Sequence, residues 1–516
     1  MNKIRTYFGA VSEKTGMFGA KFCAFVAAWP KSVLALVIPA AGIMGGLAFM
    51  PVWWSLFPLV AYLWAMFYVL QNARARLKAM LQVWSMTAIA YMIAFAWMMN
   101  PFEFTNFSWL APYAVALFVV LFSLGTIVFA TAFSYKRGIF AFAASFALGE
   151  WIKSLWLGGF PWNTVAHVWQ SSIVMQVLSL VGTYGLAFLT VFILTPSRDH
   201  IRLRIGLAVF VLLFGLGRIM IYRNTPPTMY RVRVVSQDSA WNPDDMSQLV
   251  SYINFSRAPL FSRINLVIWP ESGLRYNLTV SPDIVEQIHA GVGTNILATF
   301  DRRVHGLDGS VQVYNSSGLI TRWGMDVYDK VRLVPFGEYV PDFFKGLTKF
   351  TEGGIDFSAG GNRMIMQNAD MRFIPLICFE IIFPGLRLPG DTAFIANPSN
   401  DMWMSHQGRI QIWQQARFRA VEEGVPVIRA SNTGYSGFIS PLGISVISMY
   451  GDGFRDAFVP ARLPRPIFSW TGNAPVIAFL FAVMLLPHMG RLMLLPYIKR
   501  RPVKAKPGAK AKGRGK

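Results

Sequence analysis

Cysteine is nearly absent: 516 residues hold two, Cys23 and Cys378. That excludes a disulfide framework and leaves one bridge at most. Charge is scarce too. Only 14% of residues are charged, against about a quarter in an ordinary soluble chain. Acids are scarcest, 26 against 48 Lys and Arg, for a formal net charge of +22. The six histidines are scattered and form no H-E-x-x-H pattern, and there is no CxxC pair, P-loop or dinucleotide-binding glycine motif. Neither a metal site nor a cofactor is expected. A clean signal peptide is missing as well: residues 1–31 mix polar and apolar residues with no clear hydrophobic stretch or cleavage site. Insertion into a membrane would rely on uncleaved spans.

Apolar residues are what the chain does have, 54% of it, with a mean hydropathy of +0.41. They concentrate at the two ends. Seven apolar stretches precede residue 225, near 32–50, 54–71, 82–99, 111–132, 138–157, 172–195 and 201–221, and an eighth lies near 474–496. Each is roughly long enough to cross about 30 Å of hydrocarbon as a helix. Loops 72–78, 134–138 and 197–204 are rich in Arg and Lys, whereas 51–54, 100–110 and 155–172 contain none. The positive-inside rule therefore places the N-terminus in the cytoplasm and residues 222–473 outside. Cys23 and Cys378 fall on opposite sides and cannot pair. The end of the chain, KRRPVKAKPGAKAKGRGK, carries nine bases and no acid. Nucleic-acid binding is one reading; because a hydrophobic segment runs directly into it, a tail held near anionic lipid is the reading we adopt.

Between the two apolar ends the pattern changes. The breaker cluster NTPPT (224–228) marks the boundary. Beyond it, β-branched runs predict strands at 230–236, 264–270, 295–300, 311–317, 372–378, 392–397, 426–431 and 444–448, with helices near 243–262, 281–291 and 406–422. This reads as an α/β domain, without internal repeats. The expected organisation is a cytoplasmic segment 1–31, a seven-span membrane domain 32–223, an α/β domain 224–466, a transmembrane helix 474–496 and a basic cytoplasmic tail 497–516.

Three features end or follow predicted strands: VIWPESG (267–273) with Glu271, YDKVRLVPFGEYVP (328–341) with Lys330 and Glu338, and LICFEII (376–382) with Cys378 and Glu380. Catalytic groups in α/β proteins gather beyond strand ends. A thiol needs a base or a cation to act as thiolate, a carboxylate can take the proton and a lysine can stabilise an oxyanion. Each residue also has a bland reading: Cys378 as a small core residue, Glu271 as a solvated loop acid, Lys330 as a surface charge. Spacing alone does not decide between these.

WPES, YDKVRLVPFGEYVP, ICFE and PSNDMW, in this order, resemble the nitrilase (carbon-nitrogen hydrolase) superfamily. With GGFPW (158–162), RAVEEGVPVIRASNTGYSGFISPLG (419–443) and the seven-plus-one spans, the chain resembles the apolipoprotein N-acyltransferase family over about residues 32–495. The resemblance implies a nitrilase-like α-β-β-α sandwich on about eight membrane helices of a bacterial inner membrane, with the sandwich in the periplasm and both termini cytoplasmic. It implies Cys378 as nucleophile, Glu271 as general base and Lys330 as oxyanion-stabilising cation. Glu338 and Glu380 become supporting carboxylates, and the Phe379 N–H a second oxyanion donor. The implied partners are a phospholipid acyl donor, a diacylated apolipoprotein acceptor and the bilayer, with no nucleic acid; a monomer is expected. The implied reaction passes through a thioester on Cys378 to the α-amine of a diacylglyceryl-cysteine. The glycine-rich stretch 348–362 would be a mobile gate.

The chain departs from the family pattern at Phe379, where Tyr is expected, at NDMWMSHQG (400–408), near the substrate opening, and in its lysine-rich tail. Three rivals stay open: a membrane-tethered nitrilase-like amidase with water as acceptor, a non-catalytic membrane scaffold, and a paralogue acylating another acceptor.

Overall fold

Long runs of Leu, Ala, Phe and Met with few charges make helices that are apolar over most of their surface. In the computed structural model they open the chain as α1 (Lys31–Ala48), α2 (Leu56–Asn72), α3 (Arg76–Ala94), α4 (Ala111–Ser134), α5 (Gly138–Lys153), α6 (Leu178–Leu194) and α7 (Ile201–Arg223). The structure describes residues 31–50, 54–104, 108–237, 245–257, 263–274, 276–342 and 356–485. The N-terminal segment with Cys23, most of the expected gate (348–355) and the basic tail lie outside the described residues.

By length and composition, four described segments could cross a membrane: Arg76–Ala94, Ser108–Ile127, Ile173–Leu194 and Ile201–Arg223. The stretches near 32–50, 54–71 and 474–496 appear as shorter apolar helices, Leu36–Ala48, Leu56–Asn72 and Ala474–Leu485. The 138–157 stretch ends early, at Lys153, and carries buried Glu150 and Lys153. α7 exposes most of its apolar length, Leu213 at 63% and Met220 at 64% among others. In water such a face would be costly; against lipid it is not.

The middle of the chain builds two six-stranded sheets. The first comprises β1 (Arg231–Ser236), β2 (Leu266–Ile268), β3 (Asn295–His305), β4 (Val311–Thr321) and β5 (Gly324–Asp329). The second comprises β6 (Met366–Asn368), β7 (Met371–Pro375), β8 (Phe394–Ser399), β9 (Val427–Ser431), β10 (Tyr435–Ile439) and β11 (Ser445–Tyr450). β12 (Gly453–Phe458) crosses back to pair antiparallel with β1. The strand orders are β12-β1-β2-β3-β4-β5 and β11-β10-β9-β8-β7-β6. β1, β2 and β3 run parallel, as do β7, β8 and β9.

Inward side chains of both sheets, among them Val234, Ile268, Leu297, Phe373, Phe394 and Ile428, make one core. α8 (Asp245–Ser256) and α9 (Pro282–Val292) cover the outer face of the first sheet through Tyr252 and Ile288. α10 (His406–Glu423) covers the second, and its Ile412, Phe418 and Val421 join the same core as Leu178, Ala187 and Phe192 of the membrane helices. The layers are helix, sheet, sheet, helix, with α10 shared between sandwich and helical bundle. α11 (Ile467–Thr471) and α12 (Ala474–Leu485) follow.

One expectation fails in detail. The 372–378 strand stops at Pro375, and Cys378–Ile382 forms a 3₁₀ turn. The side chain of Glu380 causes it: its Oε2 accepts the Ile377 N–H at 2.8 Å, while the Asn397 amide takes the Leu376 carbonyl at 2.6 Å. These bonds replace the ladder that an extended strand would need.

Candidate active site

Lys330, one residue past β5, is the centre of the arrangement. Its ammonium is buried and donates to Glu271 Oε1 at 3.0 Å and Glu338 Oε1 at 2.9 Å. Glu271 stands in the turn after β2, and Glu338 in the turn bridged by Pro335 and Tyr339. The backbone holds Lys330 in place: its N–H donates to Asn315 O and its carbonyl accepts from Gly360 N–H, both at 2.8 Å. Burial alone would depress the ammonium, but the carboxylates of Glu271 and Glu338 outweigh it and raise the pKa. The lysine is fixed as a cation.

Cys378 is buried at the start of the 3₁₀ turn, in the left-handed region at φ 49°. Such a conformation is strained for a residue with a Cβ. It turns the thiol off the strand line towards the Lys330 cluster. The backbone of one residue touches both partners: the Asn400 carbonyl accepts from Cys378 Sγ at 3.7 Å, and the Asn400 N–H donates to Glu271 Oε2 at 2.9 Å. Burial first, then the charge of Glu271, pushes the thiol pKa up, against the pull of Lys330. A thiolate here therefore needs a proton acceptor at the moment of reaction. The Phe379 N–H lies in the first turn of the 3₁₀ helix, where amides lack an intrahelical acceptor.

Glu380 is not directed at the thiol. Both its oxygens accept the Tyr328 hydroxyl, at 2.8 and 2.9 Å, and Oε1 takes the N–H groups of Val331 (2.9 Å) and Arg332 (3.1 Å). Residues two apart share a face on a strand, but not on this turn. Glu380 instead clamps the loop that carries Lys330 to the loop that carries Cys378. Burial pushes its carboxyl up, opposed by the Ile377 amide, the Tyr328 hydroxyl and the charge of Lys330.

Sequence reasoning missed three residues. Asn315, on β4, donates through Nδ2 to both Glu271 Oε1 (2.7 Å) and Glu338 Oε1 (2.8 Å). Asn400 supplies the backbone carbonyl and N–H that meet the thiol and Glu271. Asp401 braces it from behind, paired with the fully buried Arg429 at 2.6 Å. An asparagine set in the strand VQVYNSS was the available signal, since a buried amide must find partners.

GGFPW ties this centre to the membrane helices. Gly158 and Gly159 have φ of 80° and 107°, and a Cβ there would come within 2.6 Å of the Tyr339 hydroxyl and 2.7 Å of the Phe383 ring. Only glycine permits both the conformation and the approach. Phe160 then stacks on Phe379 with centroids 6.1 Å apart, and the buried Trp162 donates to Gln411 Oε1 at 2.8 Å. Among the described residues no group of three or more His, Cys, Asp or Glu side chains could hold a metal ion.

A buried thiol, a carboxylate bonded to the backbone of the same residue as the thiol and a fixed cation can together form and resolve an acyl-thioester. Two family models match the chain: Apolipoprotein N-acyltransferase N-terminal domain over residues 41–195 and Carbon-nitrogen hydrolase over residues 231–451. The apolipoprotein N-acyltransferase of Agrobacterium fabrum is 32% identical over 441 residues, covering 77% of this chain and 82% of that protein. That of Allorhizobium ampelinum is 30% identical over 479 residues, covering 84% and 90%. Among solved structures, a CN-hydrolase superfamily protein from Xanthomonas campestris aligns at a TM-score of 0.36 and 18% identity, covering 49% of this chain and 96% of that one.

Proposed function

Because the chain belongs to the apolipoprotein N-acyltransferase family and is thereby an acyltransferase, we propose that it moves an acyl chain from a membrane phospholipid to the α-amine of a diacylglyceryl-cysteine through a thioester on Cys378. Glu271 takes the Cys378 proton, and the sulfur attacks an ester carbonyl of the donor. The Lys330 ammonium and the Phe379 N–H stabilise the tetrahedral oxyanion. Collapse breaks the C–O bond; Glu271 returns its proton to the departing alkoxide, and a lysophospholipid leaves. The acceptor amine then attacks the thioester, Glu271 takes the amine proton, and the C–S bond breaks. That proton returns to the sulfur, and the N-acylated lipoprotein is released. Glu338 and Glu380 position Lys330 and its loop.

The observation that supports this reading is the Asn400 backbone, whose carbonyl accepts from the thiol and whose N–H donates to the carboxylate that Lys330 also holds. The domain limits and topology belong to the same proposal: about eight spans in the inner membrane, the catalytic sandwich at 224–466 in the periplasm, and both termini in the cytoplasm. Lipid substrates explain why one helix of the sandwich is shared with the bundle.

Purified full-length protein, incubated with phospholipid and read by intact-protein mass spectrometry, should gain one acyl group. Cys378→Ala should abolish the adduct, and a diacylated lipopeptide should discharge it onto its amine. An adduct that survives Cys378→Ala sinks the mechanism, and release of free fatty acid without transfer favours an amidase-like hydrolase.

A further inference from the structure

A second cation belongs to the same loop as Lys330 and has no part in the chemistry above. Arg332 is exposed, and its guanidinium has no carboxylate partner among the described residues. Its guanidinium lies over the Phe383 ring, whose centroid is 5.2 Å away. Glu380 Oε1 holds the N–H groups of Val331 and Arg332, so the carboxylate that steadies the Lys330 loop also steadies this arginine.

Arg332 lines a cavity of about 420 Å³ where the sandwich meets the helices, with Trp151, Ser154, Tyr184, Phe383 and Asn473. That is within the range of small-ligand sites, about 300–1,000 Å³. Arg332 is the one charged residue of its wall. Beside Arg332 in this wall, Asn473 Nδ2 donates to the Pro384 carbonyl at 3.2 Å. Trp151 packs edge-on to Phe481 of α12 at 6.2 Å, and Leu155 is 57% exposed. Phe383 links the wall to the thiol's own turn: it meets Phe379, the residue after Cys378, edge-on at 5.4 Å.

A single unpaired guanidinium beside apolar side chains, at the junction with the membrane helices, suits an amphiphile with an anionic head. Guanidinium matches phosphate oxygens in geometry and charge. We infer that this cavity binds the phosphodiester of the glycerophospholipid donor, with Arg332 as its counter-charge and as a residue that selects donors bearing phosphate. The inference rests on the acyl-enzyme reading above. The donor's phosphate is held beside Phe383 while its ester reaches Cys378, and the lysophospholipid leaves from the same cavity.

The test compares two acyl donors on the full-length protein in detergent micelles, with formation of the Cys378 adduct followed by mass spectrometry. One is dipalmitoyl phosphatidylethanolamine; the other, p-nitrophenyl palmitate, has an ester but no phosphate. Arg332→Gln should raise the half-saturating phospholipid concentration on the order of tenfold, the loss expected for one charge-assisted contact. With p-nitrophenyl palmitate the change should stay within about twofold, and Arg332→Lys should recover most of the phospholipid loss, as a point charge can. Unchanged phospholipid dependence in Arg332→Gln overturns the subsite alone. An equal loss with both donors also overturns it, since the arginine would then act on the site and not on phosphate. No adduct on the wild-type chain from either donor overturns the acyl-enzyme reading, and this subsite with it.

Discussion

Two buried clusters in this chain use the same ingredients to opposite ends. At the candidate active site Lys330 meets Glu271 and Glu338. Where the sandwich joins the membrane helices, Arg419 stands with Glu422 and Glu423 on α10. Arg419 Nη2 donates to Glu422 Oε1 at 3.2 Å and to Thr183 Oγ1 at 2.9 Å, its Nη1 donates to Ile382 O at 3.2 Å, and its Nε stands 3.2 Å from Glu422 Oε2, out of line for a hydrogen bond. Glu422 accepts the Thr183 N–H and hydroxyl, and Glu423 takes the Arg387 and Leu388 amides and the Ser469 hydroxyl. Each cluster has one cation for two carboxylates. Yet burial dominates in the second, raising Glu422 and Glu423 and lowering Arg419. In the first, charge pairing overcomes burial and raises Lys330. Geometry explains the difference. Lys330 reaches both carboxylates within 3.0 Å, whereas Arg419 bonds to Glu422 at 3.2 Å and the rest of the second cluster's bonds go to backbone and hydroxyl groups of four separate segments. One cluster keeps a charge available; the other joins parts of the fold.

The sharpest way to break this contrast is to remove each cation in turn. Lys330→Met strips the proposed oxyanion stabiliser and leaves two carboxylates facing each other. Acyl-adduct formation on Cys378 should fall by about 100-fold or more per folded molecule, in line with loss of an electrostatic stabiliser. Stability should fall as well, by about 3–5 kcal/mol, because a buried charge loses its partner. Single-turnover mass spectrometry, normalised to the folded fraction, measures the first effect. A loss no larger than the loss of folded protein would make Lys330 a structural ion like Arg419.

Arg419→Met should be the mirror image. It removes the cation that bridges α10, Thr183 of α6 and the Ile382 end of the nucleophile turn, so thermal stability should fall, again by about 3–5 kcal/mol. Adduct formation per folded molecule should stay within about threefold of wild type, since no atom of this cluster contacts Cys378, Glu271 or Lys330. A rate collapse comparable to that of Lys330→Met would erase the division between a reactive and a joining cluster.

The two clusters also differed in how far the sequence betrayed them. Lys330 and Glu338 stand within one short motif, and Glu271 and Cys378 each follow an apolar run, so strand-end logic and family resemblance reached them. Asn315 and Asn400 escaped because an amide's role depends on which carboxylates fold against it, and those come from other strands. The joining cluster was invisible for the same reason: RAVEEG reads as the end of an amphipathic helix until Thr183 and Ser469 are brought to it. Strands with strong β-branched runs were legible. β5, β6, β10 and β12 were not, being short, polar on one face or rich in glycine, and held by pairing that no local pattern records. The Cys378 segment misled for a specific reason. Its apolar residues suit a strand, but four hydrogen bonds to Glu380 from Tyr328, Val331, Arg332 and Ile377 bend it into a turn.

The smallest expected effect tests the joining cluster through its protons. Burial pushes the Glu422 carboxyl above its usual 4.5, and Arg419 and the Thr183 hydrogen bond offset this only in part. An acid raised in the folded state holds its proton where the unfolded chain has released it. Below about 4.5 both states are protonated and its stabilising contribution is complete. As pH rises through that value towards the raised one, the folded chain binds more protons than the unfolded chain, and stability falls. Thermal unfolding of the wild-type chain should therefore show a declining limb above pH 4.5. Glu422→Gln should flatten that limb by at most about 1.4 kcal/mol per pH unit, the limit for one proton. It should not abolish the limb, because Glu423 is raised too. The candidate active-site cluster gives no such limb from Lys330. Its raised ammonium is protonated in both states until the pH nears about 10.4, so its contribution is lost only in strong alkali. An unchanged slope in Glu422→Gln would mean that Glu422 stays ionised beside Arg419, and that the two clusters obey one rule after all.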